Sequence, residues 1–288
     1  MAVFGTYDQA GLDAQYNNQG KVPDVAAIGQ RWMARGAEAR NALSCDLDLA
    51  YGPHPRQTLD VFPAARPDAP ILAFIHGGYW HTRDKTLVHF LAPTFVAADV
   101  TLVSVEYRLC PEVTIADIVD DVTAAIAWIH ANAERVGGRA DKLHVAGHSA
   151  GGHLAAMLCG PRGRPDLLKG GCSVSGLHDL EPIRLCYLNE HLHLKPEDVA
   201  PLSPIALARG LEKGAGRLPP LIATVGLDEG PEYLRQRDEL VQALHAAGQP
   251  ALSVDVEGGN HFTALEAFGD PHHPLCLAML RQMLSPGF

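Results

Sequence analysis

The hexapeptide Gly147-His148-Ser149-Ala150-Gly151-Gly152 follows the apolar run Leu143-His144-Val145-Ala146 and precedes an Ala/Leu-rich stretch of helical character. A serine between a strand and a helix is presented on a sharp turn, which suits a nucleophile. Glycine at 147 and 151 is what such a turn demands, because a Cβ at either place would press on the neighbouring strand or helix. A plainer reading makes Ser149 the N-cap of the helix that carries Leu154, Met157 and Leu158. Context has to decide between the two.

Three further segments supply that context. His76-Gly77-Gly78-Tyr79-Trp80 follows an apolar run at 71–75, and its paired glycines could turn backbone N–H groups toward a substrate carbonyl. With the N–H of Ala150, the amides near Gly77, Gly78 and Tyr79 are candidates for an oxyanion hole. The plain alternative is a flexible turn followed by a core aromatic, Trp80. Gly226-Leu227-Asp228-Glu229-Gly230 follows the run at 221–225, and Glu257-Gly258-Gly259-Asn260-His261-Phe262 follows the run at 251–256. Ser149, Asp228 and His261 then stand at successive strand ends in the order expected of α/β-hydrolases. His261 would act as general base and Asp228 would fix its tautomer. Glu229 and Asp179 are rival acids; Glu229 reads first as a first-turn charge of the following helix, and Asp179 as a helix cap or a hydrogen-bonding residue of the site.

These segments need a scaffold that holds them at one edge. Strand-like runs occur at 45–51, 57–62, 71–75, 101–106, 143–147, 171–174, 221–225 and 251–256, with helical patterns at 85–98, 115–133, 150–159, 231–247 and 274–284. That alternation predicts a mostly parallel eight-stranded sheet with helices on both faces, and an antiparallel hairpin from the first two runs. Ligands of such sheets bind beyond the carboxyl ends of the strands. The chain reads as a single domain over 1–288, and the loops at 161–165 and 210–220 as surface connections. The connection 176–220 is far longer than usual and predicts a small cap; it carries Leu185, Tyr187, Leu188, His191 and Leu192. Residues 1–44, with Tyr16-Asn17-Asn18 and an amphipathic pattern around Ile28, Trp32 and Met33, are a second candidate cover for the site.

Composition narrows the class. The 288 residues are 47% hydrophobic, enough for one well-buried α/β core. A formal charge of -10 argues against nucleic acid and anionic membranes as partners. Six scattered cysteines without a C-x-x-C pair read as reduced thiols of a cytoplasmic protein. No signal peptide or membrane span is expected. The expected partner is a small-molecule substrate, with a second copy of the chain as a candidate homodimer partner, and no cofactor is expected.

Taken together, the His76–Trp80 segment, the Gly147–Leu154 segment, Asp228 and Asn260-His261-Phe262 resemble the kynurenine formamidase (arylformamidase) branch of the α/β-hydrolases, near the hormone-sensitive-lipase-like esterases. Glu106-Tyr107-Arg108-Leu109-Cys110-Pro111-Glu112 resembles a stretch of those esterases in which Arg and Glu pair structurally. The resemblance implies an α/β-hydrolase fold with Ser149 as nucleophile, Asp228 and His261 as its partners, and an oxyanion hole near Gly77, Gly78 and Ala150. Tyr79 stands where the lipase-like relatives often have glycine, and Trp80 favours the formamidase branch. Trp80, His148, Tyr187 and Phe262 are candidate pocket residues. The activity implied is cleavage of a small acyl group from an aryl amide or ester through an acyl-enzyme. A general carboxylesterase, arylesterase or carbamate hydrolase is the alternative. A metallohydrolase using His191-Leu192-His193 and His272-His273 lacks a convincing third ligand, and a non-catalytic binding protein is disfavoured because a full set of triad candidates is present.

Overall fold

In a computed structural model of the protein, residues 1–285 are described apart from Lys213 and Ala215, so part of the surface connection read at 210–220 lies outside the described residues. Eight strands form one sheet: β1 (Asp46–Ala50), β2 (Thr58–Phe62), β3 (Ile71–Ile75), β4 (Thr101–Val105), β5 (Leu143–His148), β6 (Gly171–Val174), β7 (Leu221–Gly226) and β8 (Ala251–Val256), in the order β1-β2-β4-β3-β5-β6-β7-β8. β1 and β2 pair antiparallel, as the sequence predicts, and β2 joins β4 antiparallel. From β4 to β8 every pairing is parallel. This is the α/β-hydrolase fold.

Residues of β3 are buried on both faces, which is why the strand reads as an unbroken apolar run rather than an alternating one. Its side chains still divide by period two: Ile71, Ala73 and Ile75 join one core with Ile126 and Leu154, while Leu72 and Phe74 join the other with Phe95 and Phe268. Helix Ile115–Ala131 is held at its start by a capping box between Thr114 and Asp117. The pattern read at 85–98 forms a tight 3-10 stretch, Lys85–Leu91, that passes into an α-helix, Ala92–Ala97, where Pro93 enters the first turn.

The two segments read as covers are helical. The N-terminal one contains Gln9–Tyr16, Asn18–Lys21 and Val25–Ala42, burying Ile28 and Trp32 but leaving Met33 exposed. The long connection holds four short helices, Glu181–Leu185, Asn189–Leu192, Pro196–Leu202 and Pro204–Arg209. Five of the six cysteines are buried and all are free thiols. No helix among the described residues is long and apolar enough to cross a membrane.

Phe268 ends the short helix Thr263–Phe268 that follows His261, and its ring packs 5.5 Å from Phe74 and 5.3 Å from Phe95. Phe268→Ala is expected to lower stability by about 3–5 kcal/mol through the cavity it leaves, read as a shift of the urea midpoint at constant slope.

Candidate active site

The turn after β5 is as tight as its glycines imply. A Cβ on Gly147 would collide with the Gly151 carbonyl, and one on Gly151 with the carbonyls of Ile75 and His76. Ser149 between them takes φ 58° and ψ −120°, a conformation that non-glycine residues hold only where their surroundings enforce it. Its N–H donates to the Val174 carbonyl at 2.8 Å. Ser149 occupies the N-cap position of helix Ala150–Cys159, yet its side chain makes no capping hydrogen bond. The helix-cap reading therefore fails on geometry.

His261 sits on a turn set by Asn260, whose Oδ1 accepts from the N–H groups of Phe262 and Thr263 at 2.9 and 3.0 Å. Its Nδ1 donates to Glu229 Oε2 at 2.6 Å, with both side chains buried. The other carboxylate oxygen of Glu229 accepts from Ser175 Oγ and from the Gly226 N–H, each at 2.6 Å. Lys21 Nζ donates to the Glu229 backbone carbonyl at 2.9 Å. Tyr233 lies against His261 with ring centroids 5.0 Å apart, and His148 Nε2 donates to the His261 carbonyl at 2.7 Å.

Here the structure corrects the sequence reading. The acid facing His261 is Glu229, whereas Asp228 is exposed and its N–H donates to the Gly259 carbonyl at 2.9 Å. The helix begins at Pro231, as the sequence predicts, so Glu229 lies in the turn before it rather than in its first turn. The extra turn closes through Glu229 N–H to Gly226 O at 3.1 Å, leaving Leu227 and Asp228 outside and turning Glu229 inward. Asp179, the other rival, accepts from Arg235 Nη2 at 2.9 Å and from the Glu181 N–H at 3.1 Å, a structural role.

Ser149 and His261 line one cavity of about 390 Å³, together with Gly77, Gly78, Tyr79, His148, Tyr187 and Phe262. Trp80 does not: it is fully buried, with its ring 5.1 Å from His153 and nearly perpendicular to it. This is the core-aromatic alternative, and the positive φ of both Tyr79 (48°) and Trp80 (59°) turns Trp80 below the cavity wall. A Cβ on Gly77 would come within 2.8 Å of the His148 carbonyl and 3.0 Å of Ser149 Cβ, so this loop is pressed against the elbow. His76 Nδ1 meets the Gly77 carbonyl at 2.7 Å and His76 Nε2 meets Glu106 at 3.0 Å, which holds that peptide in place. Among the described residues, the N–H groups of Gly77, Gly78, Tyr79 and Ala150 donate to no protein acceptor. For Ala150 that follows from its place at the first position of a helix.

Tyr16, Asn18 and Trp32 bring the N-terminal helices into the same cavity wall. Tyr79 Oη donates to the Tyr16 carbonyl at 2.6 Å, and Asn18 Nδ2 donates to Tyr79 Oη and Tyr233 Oη at 2.9 and 2.6 Å. Ser175, Lys21 and Tyr233 were not singled out in the sequence. Ser175 follows β6 directly, so the strand-end rule that found the other loops could have found it. The Arg and Glu of the esterase-like stretch pair with other residues: Arg108 with Asp121 and Glu112 with His54. Of the histidines weighed as metal ligands, His191 stacks on His81 and His273 Nδ1 accepts from Leu275 N–H at a helix start.

Comparison with known proteins places this geometry among hydrolases. A family model described as BD-FAE matches residues 59–171. The kynurenine formamidase of Danio rerio is 30% identical over 295 residues, spanning 98% of this chain and 99% of that protein. An isoprenylcysteine alpha-carbonyl methylesterase of Arabidopsis thaliana is 26% identical over 74% of this chain and 55% of that protein. The crystal structure of a protein provisionally designated a thioesterase, from Silicibacter sp., superposes with a TM-score of 0.81 at 27% identity, covering 95% of this chain and 99% of that one.

Burial pushes the imidazoles around the site down: His148 to about 3, helped by the neighbouring His261, His178 to about 3, helped by His153, and His153 to about 4. All three are neutral in the fold at pH 7. Their unfolded-state values lie near ~6.5, so below that pH the unfolded chain binds more protons than the native one. Stability is therefore expected to be full above about pH 6.5 and to fall as pH drops toward the depressed native values. Urea midpoints taken from pH 7 to pH 4 test this, and a flat profile would contradict it.

Proposed function

The chain belongs to the α/β-hydrolase superfamily, as a serine-hydrolase-type esterase related to the kynurenine formamidases, and on that premise we propose that Ser149, His261 and Glu229 act together on small acyl substrates. The observation that carries the proposal is the buried 2.6 Å contact from His261 to Glu229 on the wall of the cavity that holds the strained Ser149. Ser149 Oγ attacks the acyl carbonyl while His261 Nε2 takes its proton. The free amides near Gly77, Gly78, Tyr79 and Ala150 receive the oxyanion. Collapse of the tetrahedral adduct expels the leaving group, which takes the proton from His261 and leaves the acyl-enzyme. Water then repeats the sequence and releases the acid. Glu229, held by Ser175 and the Gly226 amide, keeps the proton on Nδ1 and stabilises the imidazolium as it forms.

The substrate we favour is a short-chain ester with a flat aryl leaving group. Trp32, Tyr187, Leu188 and Phe262 offer aromatic and aliphatic walls for such a group. A second reading, an aryl formamide, is supported by the end-to-end alignment with the fish kynurenine formamidase. The two use the same machinery and differ in the leaving group, nitrogen or oxygen, that His261 must protonate.

Mutants rank the roles. Ser149→Ala and His261→Ala are each expected to reduce kcat on the order of 10⁶-fold, and Ser149→Ala to abolish labelling by a fluorophosphonate probe. Glu229→Gln should slow turnover roughly 10⁴-fold through the wrong tautomer, while Asp228→Asn should leave kcat near the parent value. A larger loss from Asp228→Asn would overturn the choice of acid.

The two substrate readings separate by kcat/KM for p-nitrophenyl acetate against N-formylkynurenine. Preference for the acetate is the expected result. A preference of about 100-fold or more for the formamide, some 2.7 kcal/mol, would establish the second reading instead.

A further inference from the structure

The chain carries 33 Asp and Glu against 23 Lys and Arg. Its active-site cavity departs from that balance: among the described residues, no carboxylate lines it, while Arg83 does, along with His81 and His191. We propose that Arg83 is an anion-recognition residue at the cavity mouth, and that the preferred substrates carry a carboxylate on the leaving-group side. The inference rests on the hydrolase reading above and deepens it by naming the charge of the substrate.

Arg83 is placed for the task by its backbone. Its φ is 77°, and its carbonyl accepts from Arg56 Nη2 at 2.8 Å, the same guanidinium group that pairs with the buried Glu106. The side-chain stem crosses the loop that bears the free amides, since a Cβ on Gly78 would come within 2.9 Å of Arg83 Cγ. No ion pair to Arg83 occurs among the described residues, so its guanidinium is not neutralised by the fold. His81 and His191, which also line the cavity, stack with ring centroids 4.6 Å apart and 14° between planes. Burial and the neighbouring His191 lower the proton affinity of His81. A guanidinium stays protonated at any working pH, so Arg83 gives the cavity lining a permanent positive charge. A cavity with one cation and no carboxylate on its wall attracts anions and disfavours cations during entry.

The test compares 4-acetoxybenzoate with its methyl ester, which share the acetyl group and the aryl ring and differ by one charge. The quantity read is the ratio of their kcat/KM values, anion over neutral. In Arg83→Gln the ratio is expected to fall about fivefold below the parent, the scale of a solvent-exposed charge pair. Arg83→Lys should retain most of it. Raising salt to about 0.5 M should lower the ratio in the parent and leave it nearly level in Arg83→Gln, because only the parent has the attraction to screen. Equal ratios in parent and Arg83→Gln, with both esters turned over and Ser149 still labelled, overturn the inference and leave the hydrolase reading standing. No turnover of either ester and no labelling of Ser149 overturn both.

Discussion

Close packing at the elbow between β5 and helix Ala150–Cys159 is the constraint on which the site depends. The helix approaches β3 so nearly that no Cβ fits at Gly151, and the return of the chain leaves none for Gly147. Ser149 is forced to a positive φ as the turn closes. The same approach brings the Gly77 loop against His148 and Ser149. One steric condition thereby sets the serine, a helix N-terminus and a row of free amides beside each other. Strain at Ser149 is held by the surrounding buried sheet, where relaxation of the turn would open voids among fully buried residues.

A polar network ties the rest of the chain to that elbow. Glu229 is satisfied at both oxygens before any ligand arrives, and Lys21 holds its carbonyl from the N-terminal helices. Tyr16 donates to Glu232 and accepts from Gln236, and burial together with the Glu232 charge pushes its phenol well above the ordinary range. Buried polar groups of this kind must find partners. The N-terminal helices supply them, so they form part of the cavity wall and hold Tyr79 and Tyr233 in place.

Legibility in the sequence followed the range of the forces involved. The runs at 71–75, 171–174 and 251–256 match their strands to the residue, because apolar runs and turn residues are local signals. Glycine at 147 and 151 announced a close approach before any partner was known. The acid was harder. Asp228 and Glu229 are adjacent carboxylates after a strand, and which one faces inward depends on the length of a turn that closes against Gly259 of another loop. Trp80 posed the same difficulty, since two successive positive φ values decide whether its ring enters the cavity or the core.

By itself the sequence determined the class of sheet, the order of the strand-end loops and the identity of Ser149 and His261 as the residues worth inspecting. Each rests on local periodicity or on a residue type that only one backbone conformation requires. Tertiary structure decided which carboxylate meets His261, which amides stay free, and that Arg83, without an ion-pair partner among the described residues, lines a cavity to which none of those residues brings a carboxylate. Those properties depend on the relative placement of segments far apart in the chain, and sequence spacing carries no record of which way a side chain turns once they meet.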